Sequence, residues 1–427
     1  MTDPSKERIA YVGGDNQIHT VASDGTSHTQ LTLSLGANPL LTWGQPALEE
    51  TAHTWPTWSP DGQRLICFEL PDGDDVSGPV RVQVVEADGL RQIEMLSISG
   101  RLPIYAAWNP DGEGAAILLQ DEEQLVLGWA RPDEPGRLRI LEEGAPLFFS
   151  WHPSEGRVLI HVGESSGGRT PGRLIVRDVG GQLPDELLPQ RPGNYCVPIL
   201  VGDRIVQVDT TTPDNPGAVN RLLNTGLDGS DEKNLLEFSG LGALSSVPGR
   251  DAVVFSAAPN GEGTPYRGAT LIPLDGGPLN RLMEEDCLAF FWSVAAGALI
   301  YARVLKEENC VTWNRVVPGG APEEVARFWP SREMLFYLHF FDQFAQSHSL
   351  LSPDGGRLVF CGRLLDGDDE PPEHPGPAWS VSTTGIEENG EETSRVLVAD
   401  LTKTPVGPVA VRAIASGSFA CFSPVSG

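Results

Sequence analysis

The sequence predicts an all-β chain, an eight-bladed β-propeller of four-stranded antiparallel blades, with seven blades as the alternative. Three observations carry that expectation. The tetrapeptide Ser-Pro-Asp-Gly closes a short apolar run at 59–62 and returns at 352–355. Asp-Gly or Gly-Gly pairs close further apolar runs along the whole chain. The first strand has no predecessor for its place in the repeat, and the last has no successor. Recurrence of this kind sets the architecture before any residue is read singly.

The copies of the first marker are Trp58-Ser59-Pro60-Asp61-Gly62, Trp108-Asn109-Pro110-Asp111-Gly112, Trp151-His152-Pro153-Ser154-Glu155-Gly156 and Leu351-Ser352-Pro353-Asp354-Gly355. A fifth, Phe422-Ser423-Pro424-Val425-Ser426-Gly427, ends the sequence. Each follows aromatic or apolar residues, and most precede a β-branched run such as Arg64-Leu65-Ile66-Cys67-Phe68. The chemistry is that of a tight hairpin: Pro presets φ, Asp bonds its own backbone two residues on, and Gly takes the positive-φ place. Pro cannot donate to a sheet ladder, so it belongs at the strand end.

The second marker closes a third strand, as in Val21-Ala22-Ser23-Asp24-Gly25, Val85-Glu86-Ala87-Asp88-Gly89 and Leu274-Asp275-Gly276-Gly277. A short fourth strand follows, such as Thr29-Gln30-Leu31-Thr32. Eight units in 427 residues average about 53 each, long for a blade. Seven units arise if the faded markers near Val201-Gly202-Asp203 and Val247-Pro248-Gly249 are not counted.

Residues 8–12 read as a second strand with no first, and Ser418-Phe419-Ala420-Cys421-Phe422 as a first strand with no second. Ring closure resolves both, the C-terminal strand completing the N-terminal blade and leaving fewer exposed edges. The chain is then a single domain, 1–427, with an acidic Pro/Gly-rich insertion at 366–392 in its last blade.

This pattern resembles the TolB-type, WD40-like (PD40) propeller repeat, which is also similar to the propeller half of prolyl oligopeptidase relatives. The resemblance spans essentially the whole chain and implies the fold far more than a function, since such propellers host binding modules, gates and enzymes alike. TolB relatives are periplasmic, whereas Met1-Thr2-Asp3-Pro4-Ser5-Lys6-Glu7 runs into a strand with no export signal. The expectation is therefore a cytoplasmic protein, with the periplasm as the alternative.

A net charge of −28 repels phosphate backbones and speaks against nucleic acid as a partner. The uncharged stretch from Cys287 to Ala302 is too short to span a membrane as a helix and reads as two blade strands. Six cysteines lie far apart without a CxxC pair, which fits buried apolar positions better than a zinc site or disulfides.

Gly163-Glu164-Ser165-Ser166-Gly167 matches GxSxG, but that motif needs a strand-to-helix elbow in an α/β sheet. Here it reads as a hairpin loop. The most unusual segment is Phe340 to Ser349, leading into the last blade. It sets Asp342, Gln343, Ser347 and His348 among aromatics, at a cost in desolvation unless they find partners. An Asp342–His348 pair either serves as acid and base or orients a ligand, or the segment is a structural plug. A second long lead-in, 35–55, carries Trp43, His53 and Trp55 on the same expected face. The repeated runs Asp72, Asp74, Asp75 and Asp366, Asp368, Asp369 read either as solvated turns or as a rim for a divalent cation. Trp379 is the anchor expected in the insertion.

Three functions remain open. The first is a non-enzymatic scaffold without cofactor that binds a protein or peptide over one loop face. The second is a channel-mouth lyase or hydrolase using His348, Asp342 and His53, with or without a divalent metal. The third is an accessory of a TolB-like envelope complex, as the resemblance implies.

Overall fold

The computed structural model describes residues 3–33, 51–71, 78–122, 124–163, 172–192, 196–210, 219–258, 266–365, 394–403 and 411–426. Across these the chain is antiparallel sheet with two short α-helices. Five four-stranded sheets follow one another in sequence, beginning at Thr51–Trp58, Leu102–Trp108, Leu147–Trp151, Ile199–Val201 and Leu241–Ser246. The remaining strands form one ten-stranded sheet running from Ala289–Ser293 round to Thr29–Gln30. Strand pairing thus separates six sheets, where the repeat markers predict eight units.

The ten-stranded sheet arises at the seam of the ring. The last strand, Val411–Ser426, pairs with Arg395–Asp400 through its first half and with Glu7–Gly13 through its second. Ile9 lies opposite Phe422 and Val12 opposite Phe419, so the tail of the chain pairs with its head as expected. The strand crosses between blades at Gly417. A Cβ there would sit 2.4 Å from the Val12 carbonyl oxygen, so only glycine permits this backbone approach. Arg357 and Glu7 reinforce the seam with an ion pair of 2.7 Å.

The hairpin turns follow their sequence chemistry closely. At 59–62 the Gly62 N–H donates to the Ser59 carbonyl at 2.8 Å, and the Gln63 N–H donates to Asp61 at 3.0 Å. The copy at 352–355 repeats both bonds at 2.7 and 2.8 Å. Asn109 replaces the serine hydroxyl with its amide oxygen, which accepts from Gly114. Gly62 has φ of 64°, and a Cβ there would lie 2.6 Å from a Val425 methyl.

The tryptophan before three of the five turns has a structural role the motif alone did not disclose. The Trp108 indole N–H donates to the Thr57 carbonyl of the preceding sheet at 3.1 Å, and Trp151 donates likewise to Ala107 at 3.1 Å. Trp58 continues the series to Cys421 at 3.4 Å. An arginine opens the second strand of the preceding sheet and covers the same ring: Arg8 lies 5.1 Å from the Trp58 centroid and Arg64 lies 4.9 Å from that of Trp108. Each guanidinium also donates to the carbonyl of the neighbouring turn glycine, Gly62 and Gly112 respectively. Indole and guanidinium together couple successive sheets around the ring.

The segment before the last turn departs from the repeat. In place of a first strand it forms α1 (Arg332–His339) and α2 (Phe341–Phe344), leaving an isolated bridge from Leu351 to Leu358. Ser331 caps α1 by accepting from the Met334 N–H. Met334, Leu335, Tyr337 and Leu338 form its buried face. All six cysteines are buried and unpaired. No helix among the described residues is long and apolar enough to cross a membrane, and the stretch from Cys287 to Ala302 contributes strands Ala289–Ser293 and Ala298–Leu305.

Candidate functional site

The two helices plug the middle of the ring. Phe344 stacks on Trp55 with centroids 4.9 Å apart and meets Tyr105 edge-on at 5.2 Å. Phe341 packs against Phe290 at 4.8 Å and Tyr266 at 6.1 Å. These partners belong to four sheets, three of them on first strands, so one short segment bridges sheets across the ring. Phe341 and Phe344 are each at most 1 % exposed.

His348 is fully buried at the end of this plug. Its Nε2 lies 2.9 Å from the Thr57 hydroxyl and its Nδ1 lies 2.8 Å from the Ser347 hydroxyl. The His348 carbonyl accepts from the Tyr337 hydroxyl at 2.8 Å. Burial lowers the imidazole to about 3, so the ring is neutral at physiological pH. Asp342 is buried as well, and desolvation raises its carboxyl to about 7 against the opposing pull of backbone N–H groups, including those of Gln343 and Val197. Among the described residues no hydrogen bond joins Asp342 to His348; each side chain is engaged by its own partners.

His53 sits on the strand Thr51–Trp58, opposite Glu69 on the neighbouring strand. It is 2 % exposed, both ring nitrogens lack a hydrogen-bond partner among the described residues, and burial lowers its pKa. Glu69 is held by Arg81 and Gln83, each at 2.7 Å. Among the described residues no hydrogen bond joins His53, on this strand, to His348, which meets the same strand at Thr57. Trp55, at φ of 52°, marks the bulge that interrupts the strand's register between Thr54 and Thr57.

Trp43, Trp379, Asp72, Asp74, Asp75, Asp366, Asp368 and Asp369 lie outside the described residues, as does Ser165 of the GxSxG match. Among the described residues no three His, Cys, Asp or Glu side chains group as metal ligands.

Two cavities open around the exposed tip of the plug, Gln346. One of about 300 Å³ is lined by Tyr105, Ser150, Gln343 and Ser347; a second of about 420 Å³ is lined by Asp342, Trp292 and Ser245. They share Trp151, Pro153, Gln346, Ser349 and Pro424, so together they form one crater. Pro60, Pro110, Pro153, Pro353 and Pro424 of the five turn copies all border it. The crater therefore opens on the hairpin-turn face. The surface expected from the sequence was that of the lead-in 35–55 and the acidic runs, most of which lie outside the described residues. Gln343, Ser347 and Asp342 reach the crater because the plug passes through the ring and ends on the far side. Tyr105, Ser150, Trp151 and Gln346 were not singled out in the sequence. The Trp-x-Pro spacing was their one signal, and it read as turn chemistry.

No family model matches this chain, and no curated protein matches it. Among solved structures it is similar to the dihydro-heme d1 dehydrogenase NirN in complex with DHE, with a TM-score of 0.54 and 12% identity over 98% of this chain and 75% of that one. TolB from Acinetobacter baumannii matches with a TM-score of 0.37 and 14% identity, over 67% of this chain and 66% of that one. An oligogalacturonate lyase from Vibrio parahaemolyticus matches with a TM-score of 0.45 and 12% identity, over 96% and 85%. At 12% identity the likeness to NirN bears on the fold alone.

Proposed function

We propose that the protein is a non-enzymatic β-propeller module that binds a protein or peptide partner over its hairpin-turn face. The observation that carries this reading is the crater around Gln346, an open concavity whose walls come from several sheets and from the plug. Such a floor is rigid, because the plug is packed into the ring by buried aromatics. His348 and His53 do not favour an acid–base role at that surface: both are buried, and neither lines the crater.

The test is affinity purification from native extract with the full chain and with Gln346→Arg, followed by mass spectrometry. A partner retained by the parent and lost by the variant supports the reading. Equal retention by both removes this face from it, and reproducible absence of any partner removes the binding function.

One observation favours a second reading, an enzyme working in the crater. Asp342 borders the larger cavity with a carboxyl raised to about 7, suited to exchanging a proton near neutrality. Turnover of any substrate by the parent, abolished in Asp342→Asn, would replace the scaffold with this reading. A stoichiometric metal in the purified protein would point the same way.

A further inference from the structure

The smaller cavity contains two hydroxyls that the fold leaves unused. Tyr105 is 1 % exposed and Ser150 is 2 % exposed, both line the cavity, and neither hydroxyl has a hydrogen-bond partner among the described residues. The Tyr105 ring is held firmly, stacked on Phe149 at 5.2 Å and met edge-on by Phe344. Burial and the nearby Asp342 raise the phenol, so it remains an O–H donor. A buried hydroxyl without a partner costs about 1–3 kcal/mol, and two such hydroxyls on residues lining one cavity point to an occupant that engages them.

The rest of the crater narrows the choice of occupant. No Lys, Arg or Glu lines either cavity; the one aspartate is the buried Asp342, and His152 is engaged by Asp203 at 3.1 Å. An ionic group entering here would lose its hydration with nothing opposite in charge to replace it. The walls are aromatic, proline and aliphatic side chains, with uncharged hydroxyls and amides between them. An extended peptide carries one carbonyl and one N–H per residue, with apolar side chains between, and matches that density. The two joined cavities also run from Trp58 of one sheet to Val294 of another, a track rather than a single hole.

We propose that the crater holds an uncharged, extended peptide segment, seating a carbonyl oxygen on the Tyr105 hydroxyl with Ser150 bonding beside it. This rests on the reading of the turn face as the binding face and supplies the chemistry of its ligand.

The experiment selects uncharged nonapeptides displayed on phage against the full chain. Affinities of the recovered peptides are then measured for the parent, Tyr105→Phe, Ser150→Ala and Gln346→Arg, with a thermal melt of each. Tyr105→Phe is expected to weaken binding about tenfold, the loss of one buried hydrogen bond, and Ser150→Ala by a similar factor. Its melting temperature should be unchanged or higher, because the hydroxyl does nothing for the empty fold. A peptide that loses affinity in Gln346→Arg but not in Tyr105→Phe leaves the face intact and overturns this inference alone. A melt lowered by several degrees in Tyr105→Phe shows the hydroxyl serving the fold and also overturns it. Recovery of no peptide, or capture of a neutral oligosaccharide by the crater instead, overturns it as well, while the face itself is judged by the purification from extract.

Discussion

The Thr57 hydroxyl lies 2.9 Å from His348 Nε2, while the Thr57 carbonyl accepts the Trp108 indole N–H at 3.1 Å. One residue on an innermost strand thus ties the central plug on one side and the next sheet on the other. Replacing it by valine keeps the shape and leaves a fully buried imidazole nitrogen without its partner. Thr57→Val is expected to destabilise by about 1–3 kcal/mol in urea unfolding, and Thr57→Ser to recover most of that loss. Equal stability of the two variants would show the contact to be idle.

The buried His348 makes stability depend on pH. Its folded value of about 3 lies below the unfolded 6.5, so the unfolded chain takes up a proton first as acid is added. Stability from this group is complete above 6.5 and falls as pH drops toward 3. Asp342 acts with the opposite sign. Its folded value of about 7 exceeds the unfolded 3.8, so its contribution is full below 3.8 and is lost as pH rises through 7. Burial also lowers His53 and His161, the latter to about 4, and both act with the sign of His348, so urea unfolding between pH 4 and 7 should give the parent a net slope toward lower stability in acid. His348→Gln should tilt it toward greater stability in acid, and Asp342→Asn toward greater stability near neutrality, each by about 1 kcal/mol per pH unit. Parallel slopes in all three proteins would contradict the assigned charge states.

The coupling of successive sheets can be weighed at Trp108. Trp108→Phe removes the bond to Thr57 and weakens the hold on Arg64, at a cost of about 1–3 kcal/mol. Because Arg64 and Trp108 share one contact, the double variant Arg64→Met/Trp108→Phe should fall short of the sum of the single effects by about 0.5 kcal/mol or more. Strict additivity in the cycle would mean the stacked pair is not a working unit.

Ring closure makes its own demand. Removing residues 418–427 takes away Phe419 and Phe422, each at most 2 % exposed, and bares the edge of Glu7–Gly13. The shortened chain should lose its cooperative melt, and a synthetic peptide of the missing residues should restore it by adding the strand in trans. A truncated chain that melts like the parent would show the closing strand to be dispensable.

Much of this architecture was legible in the residues, and the reason is local. Pro60, Asp61 and Gly62 specify a turn from their own dihedral and hydrogen-bonding preferences, wherever they are in space. Closure could be inferred because a strand missing at one terminus matched a spare one at the other. The helices escaped notice because Phe340 to Ser349 was read as the repeat demanded. Ser331 as a cap, followed by Met334, Leu335, Leu338 and Phe341 at helical spacing, was the signal available. The candidate residues Asp342, His348 and His53 stood out as polar groups in apolar company, but the Val197 and Thr57 groups that bond the first two, and the Glu69 that lies opposite the third, come from elsewhere in the chain.

By itself the sequence determined the turns, the strand order and the joining of the two ends, since those depend on near neighbours and on counting. Tertiary structure alone decided which face carries a crater, that the plug passes through the ring to reach it, and that Tyr105 and Ser150 are left without partners. Those outcomes depend on side chains from different sheets converging at one place, and no spacing along a single strand records that convergence.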